Sequence, residues 1–212
     1  MSIHLYFLLM LWASITFSQS KTYTQELQEI KQTKIQLQKD AISSDSVSLY
    51  LTNTFYNKIF PHWVGTTWDY NGYTNIPQKG EIACGYFIST TLKHMGFNWN
   101  RFKLAQMYSS AIIKATCTEI KTYTQIEALN EHMIKQPVGI YIVGLSNHVG
   151  FIIKTNRYTR FVHSNYINNE GPISERLLFS EALKNSTTYW IGKFTNQENI
   201  QKWLNESPYN FK

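Results

Sequence analysis

The chain has 212 residues, 43% of them hydrophobic and 15% aromatic, with 16% charged. This excludes a disordered chain and suits one globular domain with a sizeable core plus a helical appendage. The net charge of +6 comes from Lys and Arg scattered without a dense cluster. Nucleic acid is therefore not an expected partner, whereas a mild basic excess suits anionic polymers.

Residues 1–20 contain no Lys, Arg, Asp or Glu, and an apolar stretch over 3–17 gives way to the small polar residues Ser18, Gln19 and Ser20. This reads as a signal peptide over 1–18. The stretch is short for a full membrane span, and the alternative is an N-terminal anchor. The expectation is export to the periplasm or beyond, with no membrane span after cleavage.

A helical segment is expected over 19–61. Tyr23, Leu27, Ile30, Leu37 and Ala41 recur at steps that define a narrow apolar helical stripe, with Lys34 in its gap. The run 43–46 offers caps, and a second helix over 47–59 is expected to stop at Pro61. The stretch 63–80 reads as loop, punctuated by Asn71-Gly72, Pro77 and Gly80.

Cys84 is the most informative residue. Gly80 leads in, and an apolar helical pattern follows to Gly96. A thiol in the first turn of a helix faces unpaired N–H groups and the positive end of the dipole, so a thiolate is expected. Further helices are expected over 101–114 and 126–134. The periodicity then changes to strands over 138–143, 148–154, 158–163 and 188–194, with short links that suit antiparallel hairpins. Helices are expected over 174–183 and 197–204. Helices first and an antiparallel sheet afterwards give an α+β class, with a core domain over 62–195 and a tail over 196–212.

His148 opens one strand pattern and His163 closes the next. A cysteine at a helix start followed by two strand histidines reads as a nucleophile, a general acid/base and an orienter. His148 is expected to pair with the thiolate as imidazolium. Gly150 shares its face and is expected to leave room for the helix terminus. Either His163 or Asn165, two residues on, orients His148. The N–H groups of Cys84 and Gly85 are candidate oxyanion donors. One alternative is a disulfide between Cys84 and Cys117, the two cysteines of the chain. His62, His94 and His132 lack ligand spacing, so no metal or cofactor is expected.

The segments Trp68-Asp69-Tyr70-Asn71-Gly72, Gly80 to Gly85, His148-Val149-Gly150-Phe151-Ile152 and Phe161-Val162-His163-Ser164 together resemble the NlpC/P60 family of papain-like cysteine peptidases. The resemblance covers roughly residues 68–164. It implies a papain-like α+β core with an antiparallel sheet packed on the nucleophile helix. It also implies a Cys-His-His triad, or one with another polar third residue, and hydrolysis of peptidoglycan stem peptides. Tyr70 and Trp68 would line the cleft. The chain departs from the family pattern at Ala83, at Gly85-Tyr86 and at Trp68. It also separates Cys84 from His148 by 64 residues, a length that looks long for the family and that the helices between 97 and 134 account for. Rival readings are a papain-like acyltransferase or amidase with another acyl donor, and a non-catalytic wall-binding module of the same fold.

Overall fold

The computed structural model describes residues 21–211, so the expected leader over 1–18 lies outside the described residues. Helix α1 (Tyr23–Lys39) opens with a capping box in which Thr22 and Gln25 satisfy each other's backbone N–H groups. Its stripe buries Ile30, and it buries Lys34 as well. The Lys34 ammonium meets Glu206 at 2.7 Å and lies over the Trp203 ring, so a residue that looks like a gap in the stripe is part of the contact.

Helix α2 (Ser44–Thr54) is capped by Ser43. Pro61 does not stop it. A π-helical turn (Phe55–Ile59) intervenes, with the Phe60 N–H bonded to the Phe55 carbonyl, and the chain runs on as α3 (Phe60–Trp63). The wide turn accommodates a residue that has no N–H and whose ring crowds the preceding turn. The segment from Val64 to Ala83 is then held by two isolated bridges, Thr67 to Glu81 and Tyr73 to Ile82.

Helix α4 (Cys84–His94) follows. The single helix expected over 101–114 is two, α5 (Arg101–Ala105) and α6 (Ser109–Thr116). Each packs on a different neighbour. The Ala105 carbonyl closes on Gly85, while Ser109 and Ile113 of α6 lie against Gly144 of the sheet. The chain must turn between them.

Six strands among the described residues form one antiparallel sheet, β1 (Thr118–Tyr123), β2 (Gly139–Gly144), β3 (Val149–Lys154), β4 (Thr159–Asn165), β5 (Gly171–Glu175) and β6 (Tyr189–Lys193), in the order β1-β6-β2-β3-β4-β5. Helix α7 (Ile126–Ile134) precedes β2, α8 (Glu181–Lys184) precedes β6, and α9 (Gln197–Leu204) follows it. The strands give an α+β architecture, as the element order implied. Two strands were not legible. β1 is a largely exposed edge strand. β5 occupies the start of the stretch read as a helix over 174–183, which instead continues as a 3-10 turn (Leu177–Phe179) and α8. Pairing with β4 overrides the local helical pattern there.

Both sheet faces are covered. Ile140, Ile142, Val149, Phe151, Ile153 and Val162 face a core shared with α1, α2, α4 and α9. Tyr141, Val143, Ile152, Phe161 and Ile191 face a second core with α7 and α8. β2 and β3 therefore read as continuous apolar runs. The N-terminal helices and the tail belong to the first core and contribute Ile30, Val47, Leu51 and Trp203 to it.

Candidate functional site

Cys84 is placed by the segment that delivers it. A Cβ on Gly72 would lie 2.6 Å from the Ile82 nitrogen, so only glycine lets the loop close onto the approach to Cys84. The Ala83 N–H donates to the Gly72 carbonyl at 2.8 Å, and the Ser164 hydroxyl donates to the Ile82 carbonyl at 2.6 Å. The second bond ties the approach to β4. Ala83 is the N-cap of α4 and provides no side-chain cap, so the first-turn N–H groups are left for the sulfur.

Cys84 and Cys117 are both free thiols, and the disulfide alternative is not realised. The backbone N–H groups of Val149, Gly85 and Cys84 lie near the Cys84 thiol. They favour the thiolate, but burial outweighs them and the thiol is raised above its ordinary value. The expected resting thiolate is thus corrected to a resting thiol. Burial also pushes Cys117 up to about 12.

His148 is buried just before β3. Its Nε2 lies 2.8 Å from Nδ1 of the fully buried His163, with the two rings nearly perpendicular. Burial, and then the neighbouring His163, hold His148 well below the usual imidazole range, so it is neutral at pH 7. Pairing as imidazolium is therefore also corrected. The amide of Val149, the residue after His148, lies near the Cys84 sulfur. Among the described residues the sulfur and the His148 ring share no hydrogen bond. The His148 and His163 rings pack with Phe161 on the sheet face of the second core, whereas α4 packs against the first.

His163 stacks on Phe161, ring centroids 4.1 Å apart, and its Nε2 lies 2.8 Å from the Glu175 carboxylate. Burial depresses its pKa in spite of that carboxylate. Asn165, the alternative orienter, is engaged elsewhere. Its amide donates to Glu170 at 2.9 Å, and its oxygen accepts from the Ile167 N–H at 3.1 Å. The space at Gly150 is filled by Phe161 and His163 rather than by the helix terminus.

Trp68 and Tyr70 part company. Trp68 meets Tyr166 edge-on, and Tyr166 in turn meets the His148 ring at 5.3 Å. The buried Trp68 indole N–H has no partner among the described residues. Tyr70 stands 80% exposed at the turn beyond it. Gly85 has the Ala105 carbonyl against its Cα, which leaves no room for a side chain.

Two residues of the cluster escaped the sequence reading. Glu175 lay in a stretch read as helical, where nothing linked it to His163. Tyr166 follows β4 directly, and an aromatic next to a strand-end histidine was the available signal. A cavity of about 430 Å³ lies elsewhere, between α1 and the end of α4, lined among others by Leu27, Lys34, Lys93 and Glu206.

No protein-family model, curated protein or solved structure matches the chain.

Proposed function

We propose that the protein is an exported cysteine peptidase of the NlpC/P60 type that hydrolyses amide bonds in peptidoglycan stem peptides. The reading rests on the ordered motifs around Cys84, His148 and His163. The observation that carries it is the 2.8 Å His148–His163 hydrogen bond at the start of β3, the strand on which α4 packs.

In this reading Cys84 is the nucleophile, His148 the general acid/base and His163 its orienter. The resting pair is a thiol and a neutral imidazole. As the sulfur attacks the substrate carbonyl, its proton passes to Nδ1 of His148 and an S–C bond forms. The oxyanion lies toward the N–H groups of Cys84 and Gly85. The C–N bond then breaks, and His148 returns the proton to the leaving amine. A thioester remains. Water attacks it, giving a proton to His148, and the acid leaves as the thiol is restored. These steps use the protein's own groups and require no cofactor.

The test is digestion of purified peptidoglycan with the leaderless protein, read by mass spectrometry, with Cys84→Ala as control. New amine termini that vanish in Cys84→Ala support the hydrolase. Absence of new termini, with thiol-dependent turnover of other acyl donors, would replace it with an acyltransferase. Wall binding without turnover, and no selective labelling of Cys84 over Cys117 by a thiol probe, would replace it with a binding module.

A further inference from the structure

We propose that Glu175 is a positioning residue that sets the direction of the proton chain through His163 and His148, and so leaves Nδ1 of His148 free to act as the base. The inference rests on the cysteine-hydrolase reading of the site and adds a member to its machinery.

The geometry is a continuous chain of Glu175 Oε2, His163 Nε2 and Nδ1, then His148 Nε2, with both links at 2.8 Å. An ionised carboxylate only accepts hydrogen bonds, and a neutral imidazole has one donor nitrogen and one acceptor. Glu175 therefore requires the His163 proton on Nε2. The bare Nδ1 of His163 then accepts from Nε2–H of His148. That leaves Nδ1 of His148, the ring nitrogen nearer the backbone, without a proton. Without the carboxylate both arrows can reverse: His163 would donate through Nδ1, and His148 would carry its proton on Nδ1, where it cannot accept one from the thiol.

The fold supplies the acceptor diagonally. In the β4–β5 register Phe161 pairs with Glu175 and His163 with Ile173, so Glu175 reaches His163 along one sheet face. Its side chain is 24% exposed, so it keeps part of its hydration. Burial would raise its pKa, but the hydrogen bond from His163 and the nearby Ser180 and Lys184 hold it below the usual carboxylate value. Glu170 faces His163 from the turn after β4, but its carboxylate is bonded to Asn165.

The test is ¹⁵N NMR of the imidazoles of the full chain, in the wild type and in Glu175→Gln. The Gln side chain keeps the shape and can donate as well as accept. Wild-type protein is expected to show both His163 and His148 protonated on Nε2. Glu175→Gln is expected to shift His148 toward the Nδ1–H form, and to slow acylation of Cys84 by at least about tenfold with little change in KM. Glu175→Asp, which keeps the acceptor-only charge, is expected to restore the wild-type tautomers. An Nδ1-protonated His148 in the wild type, or unchanged tautomers in Glu175→Gln, overturns the proposal; the first result needs no variant to fold. The tautomers are read without substrate. Their agreement alongside inert peptidoglycan would sink the substrate reading and leave the proton chain standing.

Discussion

A Cβ on Gly150 would lie 2.8 Å from the Cβ of His163 and would also meet the Phe161 ring. The glycine in the His148 strand is thus the space in which the next strand's histidine sits. Both contacts involve buried groups in a packed sheet, and neither can move without disturbing the stacked Phe161–His163 pair. Gly150→Ala is expected to cost about 1–3 kcal/mol, the usual range for overpacking, and to displace His163 from His148. Thermal unfolding measures the first effect. Loss of the His148–His163 coupling in imidazole NMR measures the second, and a variant as stable as the wild type would show that the strand yields freely.

The protonation states give a pH signature. Cys84 is raised above the ordinary thiol by burial, and His148 is neutral. Alkylation of Cys84 by iodoacetamide without substrate is expected to climb from pH 7 to beyond 9. A rate plateau that persists below pH 6 would reveal a resting thiolate–imidazolium pair instead. Cys117, more strongly raised, is expected to react more slowly than Cys84 throughout.

Helix α1 is joined to α4 by a partly buried polar chain. The Trp63 indole donates to the Tyr23 oxygen at 3.0 Å, the Tyr23 hydroxyl meets His94 Nδ1 at 2.8 Å, and His94 Nε2 meets Asn75 at 3.0 Å. Burial, then Arg101 and Lys93, lower His94 to about 4. The unfolded chain therefore binds the His94 proton more readily than the folded one. Stability from this group is full above about pH 6.5 and is lost as pH falls toward 4, by at most about 3 kcal/mol. Denaturant unfolding of wild type and His94→Gln at pH 7 and pH 4.5 checks it. The wild type is expected to lose more stability than the variant. Equal losses would mean that His94 is not the group responsible.

Gly171 opens β5 at φ +79, with the Thr66 carbonyl against its Cα. A side chain there meets both a disfavoured backbone conformation and a backbone atom. Gly171→Ala is expected to destabilise the fold by more than 1 kcal/mol and to loosen the strand that carries Glu175. Hydrogen exchange across β4 and β5 reads this directly, and unchanged protection of the His163 and Ile173 amides would contradict it.

The primary structure by itself determined the periodic elements and the place of Cys84 at a helix start. The pattern after Gly80 and Cys84 reads as a helix that starts at the thiol, and α4 begins at Cys84. The apolar runs at 139–144 and 149–154 are strands because a two-sided buried sheet needs them so. His148 and His163 were legible because alternation and a short hairpin put one just before β3 and the other in β4. Tertiary structure alone decided what lies between distant segments. It chose His163 over Asn165, because Glu170 and the Ile167 amide capture the Asn165 side chain. It turned part of a helical pattern into β5 and so brought Glu175 to His163. It also overrode the dipole argument at Cys84, since a sulfur's protonation follows its desolvation, and burial depends on what the rest of the chain packs over it.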